Sequence, residues 1–187
     1  PWSDFLGGLC ATLGVGLVHV HNVSACRAGL LTALPALGLP FGYTVHDVNA
    51  GCPTITFLGP DGMYCGARTD PAACGACLAA QPAFADVDIV DWRESHRPLV
   101  ERAAFLIAPS RWAADTLARY YPSANATVVP HGIPEAAPRH AGTRLAVMLP
   151  DDSVPTVAVL GAVGPDKGAR RIERLVELAR EHGANVR

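Results

Sequence analysis

Lysine is almost missing from this chain. Among its 15 Lys and Arg residues, Lys167 is the only lysine. Aromatic residues make up 6% and charged residues 17%, so neither stacking surfaces nor charge runs dominate. The formal net charge is −2, which excludes the basic footprint of a nucleic-acid binder. No apolar run approaches the roughly 18 to 20 residues that a membrane helix needs. The opening WSDFLGGLCATLGVGLV comes nearest, yet it has no positive leader and no clear cleavage site, and it reads as a core helix followed by a strand. Internal repeats and low-complexity tracts are absent too. What is abundant is Ala, Gly, Pro and Arg. Half of the 187 residues are apolar, which is ample for a globular core.

Because arginine serves everywhere else, a lysine at one place looks chosen. Lys167 lies in VAVLGAVGPDKGARRIERLVELA, where a strand runs into a glycine-rich turn and then a helix. A primary ammonium is a compact, mobile point charge suited to a phosphate, while guanidinium is a planar fork. Backbone N–H groups at a helix start add their own pull on an anion. The plainer reading is a solvent-facing lysine in a turn.

Short apolar runs alternate with helical patterns along the chain, the mark of βα units and a parallel sheet. Strands are expected at 16–20, 41–46, 104–108 and 126–129. Helices are expected at 3–13, from Ala25 to Leu34 with Ser24 as cap and an interruption near Pro35, at 86–103, and over RWAADTLARYY, capped by Ser110 and ended by Pro122. Between Asp47 and Ala83 there is little periodicity and much Gly, Pro and Cys. A loop of that length in a compact domain is usually functional or stapled. The expected organisation is a first domain at 1–136 with its insertion at 47–83, a linker at 137–154, and the first strand and helix of a second αβ domain at 155–187. The start at Pro1 and the end within a strand-like ANVR point to the middle of a longer polypeptide. The fold class is therefore α/β, a Rossmann-like parallel sheet with flanking helices, truncated at both ends.

In open parallel sheets, ligands bind beyond the carboxyl ends of the strands. Those ends carry His21-Asn22, His46-Asp47, Pro109-Ser110, Pro130-His131-Gly132 and the turn from Gly161 to Lys167. A single strand-end histidine is more often structural, but His21, His46 and His131 together favour a polar ligand site.

VHVHN, YTVHD followed by CP, IAPS before a helix, VVPHGI and VAVLGAVGPDKG resemble, in order, successive motifs of the family 4 glycosyltransferases, retaining GT-B enzymes that use nucleotide-sugar donors. The resemblance spans residues 17 to 183. It implies two Rossmann-like domains, with acceptor recognition mainly in the first and UDP- or GDP-sugar binding mainly in the second. It implies that His46 reaches the donor sugar near the reacting carbon and that Asp47 orients it. His21, Asn22 and Ser110 would line the acceptor side, Ser110 also being a helix cap. His131-Gly132 takes the place of the family's usual Asn-Gly. Lys167 would grip the donor diphosphate, with Gly161, Gly164 and Gly168 letting the backbone come close.

The chain departs from the family in two respects. The arginine commonly found five residues before the lysine is Ala162 here. The signature glutamate pair belongs far beyond the lysine turn, and Glu173 and Glu181, although suitably spaced, read as the solvated face of an amphipathic helix. The implied function is hexosyl transfer to a glycan or lipid-linked acceptor by a cytoplasmic enzyme, at the inner face of a membrane, with no turnover expected from this stretch alone. The alternatives are a nucleotide-sugar epimerase or phosphorylase of the same fold, and a zinc-stapled glycan- or nucleotide-binding module without catalysis.

Cys52, Cys65, Cys74 and Cys77 all fall in the insertion, and Cys74-Gly-Ala-Cys77 has the spacing of a zinc knuckle. A structural zinc would explain how so long a loop stays folded. An iron–sulfur cluster, two disulfides or unlinked thiols are the other readings, and disulfides suit a cytosolic enzyme poorly. Cys10 and Cys26 read as small core residues within helices.

Overall fold

A computed structural model describes residues 2–24, 28–132, 157, 159, 161 and 163–184. The chain divides into two compact units, Pro1–His131 and Gly132–Arg187. In the first unit, β1 (Val18–Val20), β2 (Phe41–Thr44), β3 (Phe105–Ala108) and β4 (Thr127–Val128) form a parallel sheet in that same order. Each strand lies where an apolar run was expected. The α/β Rossmann-like reading of this region holds.

Because the side chains of a strand alternate, register decides which residues share a face. Val18 pairs with Phe41, Val20 with Tyr43, and Tyr43 with Leu106. This row faces the helices α2 (Ala28–Ala36), α4 (Ile89–Glu101) and α5 (Arg111–Tyr120). Leu31, Leu34, Leu99, Val100 and Leu117 from those helices join Phe41, Tyr43, Val45 and Leu106 in one buried cluster. Right-handed crossovers between strands that step one way across a sheet put their helices on one face, which is what this core requires. Burying each large apolar side chain contributes about 1.5–3 kcal/mol.

The other face holds the second row, His19–Gly42–Phe105, followed by Thr44–Ile107–Thr127. The Phe105 ring lies directly over Gly42, so that a Cβ at Gly42 would fall inside it. The edge of the same ring meets His19 at a centroid distance of 5.0 Å and 75°.

Local chemistry sets the helix ends. Asp88 caps α4 by accepting from the N–H groups of Val90 and Asp91. Ser110, in extended conformation, caps α5 by accepting from Ala113 N at 3.2 Å. Pro35 does not interrupt α2: it sits in the last turn, and Leu37 N–H closes the end on Leu34 O at 3.2 Å. The expected start of that helix at Ala25, and Cys26 with it, lie outside the described residues. Ser24 N–H and Oγ both donate to Asn22 Oδ1.

Two expectations need correction. α1 (Trp2–Leu13) is not a core helix, since none of its residues is buried. Trp2, Phe5, Leu9 and Leu13 form a stripe that stays exposed, and Leu6 beside it is half-buried. Cys10 on this helix is half-buried. The insertion is also more regular than its composition indicates. It contains α3 (Pro71–Ala79), with Pro71 at the first position and Asp70 accepting from Ala73 N at 2.8 Å. A Leu58–Tyr64 bridge closes a hairpin before it, and a 3₁₀ turn at Pro82–Phe84 follows.

In the second unit, a 3₁₀ turn at Pro165–Lys167 leads through Gly168 into α6 (Ala169–Glu181). Gly168 is left-handed at φ 83°, a conformation that favours glycine. Arg174 pairs with Glu177 at 3.0 Å and with Glu181 at 3.1 Å across the solvated helix surface. The expected strand before this turn, and Ala162, lie mostly or wholly outside the described residues. No helix among the described residues is long and apolar enough to cross a membrane.

Candidate functional site

The carboxyl edge of the sheet in the first unit gathers imidazoles. His21 Nδ1 and His46 Nε2 are 3.1 Å apart, and their rings lie 5.4 Å centroid to centroid at 27°. One nitrogen donates and the other accepts, so the bond requires at least one neutral ring. Immediately beside it, Asn22 Nδ2 donates to Asp47 Oδ2 at 3.4 Å. The two dipeptides His21-Asn22 and His46-Asp47 are thus zipped together, side chain to side chain, beyond β1 and β2. His131, after β4, stacks nearly parallel to His46 at 6.1 Å and 7°. His21, Asn22, His46 and His131 are exposed, and Asp47 is half-buried.

A fourth imidazole was not anticipated. His19 lies two residues before His21 in β1, its ring 4.0 Å from that of His21. Its Nε2 is 2.8 Å from Thr44 Oγ1, across the β1–β2 pair. Desolvation lowers its pKa, and the neighbouring His21 and His46 lower it further. The alternation in VHVHN carried the signal, because residues two apart in a strand share a face.

The loop that carries His46 and Asp47 is held from below. Asp47 Oδ1 accepts from Asn49 N at 2.9 Å. Asn49, 2% exposed, pairs through Oδ1 with His96 Nε2 at 3.1 Å, and its carbonyl accepts from Trp92 Nε1 at 2.7 Å. His96 is equally buried, and its Nδ1 lies 2.8 Å from Trp92 O. Burial lowers the His96 pKa, opposed by that backbone bond and by the Asp47 charge. The single hydroxyl proton of Tyr121 is shared between Ala50 O at 2.7 Å and Arg93 O at 3.0 Å. Helix α4 thereby fixes the chain just after the site.

Ser110 is exposed and occupied as the α5 cap. In the second unit, Lys167 is exposed at the end of its turn, and Gly161 has a left-handed φ of 104°. The N–H groups of Lys167 and Ala169 close on Gly164 O, and that of Gly168 on Pro165 O. These three donors shape the turn itself. Gly132 is the first residue of this unit.

The four insertion cysteines line one cavity of about 50 Å³ together with Arg93 and Tyr120. All four are half-buried free thiols. Burial pushes the Cys52 thiol up, opposed by its hydrogen bonds to Thr54. Arg93 spans the insertion: its Nε donates to Gly51 O at 3.1 Å, its Nη1 to Thr69 O at 2.7 Å and its Nη2 to Cys74 Sγ at 3.3 Å. The guanidinium also lies 4.8 Å over the Tyr120 ring.

The sequence pattern that defines Glycosyltransferase Family 4 matches residues 5–136. The matched stretch contains all four strands, the strand-end histidines and the four cysteines, and ends before the Lys167 turn. Searches of the curated proteins and of the solved structures returned no match.

Proposed function

The chain belongs to glycosyltransferase family 4, and we propose that it serves transfer of a hexose from a UDP- or GDP-sugar to a glycan or lipid-linked acceptor, with retention of anomeric configuration. The observation that carries this reading is the pairing of His21-Asn22 with His46-Asp47 at the carboxyl edge of the sheet. Sugar hydroxyls need fixed donors and acceptors, and this edge offers imidazole, carboxamide and carboxylate groups already aligned by one another.

In this reaction the bond between sugar C1 and the diphosphate oxygen breaks, and C1 gains oxocarbenium character. A bond from the acceptor oxygen to C1 forms on the same face, and the acceptor proton passes to the departing phosphate. A paired carboxylate machinery like that of glycosidases is not obligatory. His46 then positions and polarises the donor sugar, with His21 holding the ring and Asp47 holding the loop. Asn22 and Ser110 are assigned to the acceptor side, and His131 and Gly132 to the donor.

Charge that builds on the leaving diphosphate needs a cation. Lys167 is assigned that task, with Gly161, Gly164 and Gly168 giving room for the phosphates. The match to the family stops short of this turn, so its role rests on the turn's own chemistry. Titration of the protein with UDP, GDP and their sugars tests it. Lys167→Ala is expected to weaken binding about tenfold or more, which is about 1.4 kcal/mol. Equal affinity of the variant would remove Lys167 from the donor site.

A further inference from the structure

The four cysteines are the largest group of chemically reactive side chains that the transfer reaction leaves unused. We propose that Cys52, Cys65, Cys74 and Cys77 bind one zinc ion as a tetrahedral thiolate site that staples the three segments of the insertion to one another. This inference stands independently of the transfer reaction.

Three segments bring the thiols to one cavity. Cys52 follows the loop fixed by Asn49, Cys65 ends the hairpin with its N–H on Phe57 O at 2.9 Å, and Cys74 and Cys77 lie three apart on α3. Residues three apart on a helix share a face. Among the described residues no three His, Cys, Asp or Glu side chains are already closed around a metal-sized point. The thiols line one cavity, and binding has to draw them together to Zn–S distances of about 2.3 Å.

The surroundings are those a thiolate site needs. Arg93 Nη2 donates to Cys74 Sγ at 3.3 Å, Gln81 Nε2 to Cys77 Sγ at 3.5 Å, and Thr54 Oγ1 lies 3.3 Å from Cys52 Sγ. Outer donors of this kind orient metal-bound sulfur and offset its charge. Four thiolates on Zn²⁺ leave an excess of two negative charges, and the Arg93 guanidinium stands against it. On binding, each thiol releases its proton to solvent, and Cys74 gives up its bond to Arg68 O. All-sulfur donor sets select soft ions, and zinc is the one that needs no redox partner.

The backbone of the insertion is also strained. Ile55, Phe57 and Ala67 have φ of 53°, 57° and 53°, the left-handed region that non-glycine residues rarely occupy. All three lie between Cys52 and Cys74. Such strain persists only where the surroundings over-determine it.

The test is metal analysis by mass spectrometry on the intact protein purified from zinc-containing medium, joined to thiol titration. The expected result is one zinc per chain, with four of the six thiols protected until a chelator or denaturant is added. Chelation should open the stretch between Cys52 and Cys77 to protease while far-ultraviolet circular dichroism of the sheet and helices persists. Cys74→Ser should lose the metal, and Cys10→Ser should keep it. If Cys74→Ser does not fold, release of one zinc by a mercurial from the wild-type protein serves instead. Metal at background level, iron in place of zinc, disulfides found by intact mass, or four thiols reacting as fast in the native as in the unfolded chain would each overturn the proposal.

Discussion

His21 and His46 share a hydrogen bond of 3.1 Å although 25 residues separate them. The bond joins the ends of two adjacent parallel strands, so the orientation of His46 is set by the sheet and not by its own loop alone. His21→Ala should therefore weaken sugar-nucleotide binding by about tenfold while changing stability by less than about 0.5 kcal/mol, as is usual for an exposed site. His21→Asn, which retains a donor and an acceptor, should recover part of the affinity. Calorimetric titration and thermal unfolding read the two effects separately.

Acid should destabilise this fold earlier than its carboxylates require. His19 and His96 both have pKa values lowered from the ordinary 6.5. The unfolded chain thus takes up protons first as pH falls, and linkage makes stability drop below about pH 6.5, until the folded pKa values are reached. Urea midpoints should fall between pH 7.5 and pH 5.5, and His96→Gln should flatten that slope. A midpoint independent of pH over this window would mean that the two rings titrate normally.

Tyr121 is fully buried, and its hydroxyl serves two carbonyls, those of Ala50 and Arg93. Tyr121→Phe leaves them without that donor and should cost about 1–3 kcal/mol. Leu99→Ala, at 0% exposure, should cost about 2–5 kcal/mol by opening a cavity. Denaturant titration measures both. A loss in Tyr121→Phe below a few tenths would show that water replaces the hydroxyl.

Gly42 has a different constraint. Its strand conformation is ordinary, but the Phe105 ring occupies the space of any side chain. Gly42→Ala should destabilise by about 1–3 kcal/mol through overpacking, and Phe105→Leu should relieve part of that loss in the double variant. Additive losses in the cycle would separate the two residues.

Arg93→Lys keeps the charge but loses the fork that reaches Gly51, Thr69 and Cys74 at once. Limited proteolysis should accelerate within residues 52–77 more than global unfolding does. Equal protection in the variant would show that the insertion holds without this anchor.

The sheet was legible because VHV, FGYT, FLIA and TV sit in apolar runs that end in polar residues. The same rule led to His21, His46 and Asp47, since parallel strands deliver their carboxyl ends to one edge. α3 was not legible, because Ala, Gly and Cys give no apolar period, and its start shows only in Asp70-Pro71. α1 was misread because its stripe of Trp2, Phe5, Leu9 and Leu13 looks the same whether it meets a core or solvent. The Asn49–His96 pair spans 47 residues, and no local pattern announces a contact of that kind. Strand alternation places His19 beside His21, but its contact with Thr44 depends on the register of β1 against β2.

The most direct measurement is the imidazole proton spectrum of the protein during titration with UDP- and GDP-hexoses. One of these sugars is expected to shift the His21 and His46 resonances together, free nucleotide to shift them far less, and His46→Ala to abolish the response at His21. Binding of the sugar nucleotide with both resonances unmoved would contradict that expectation.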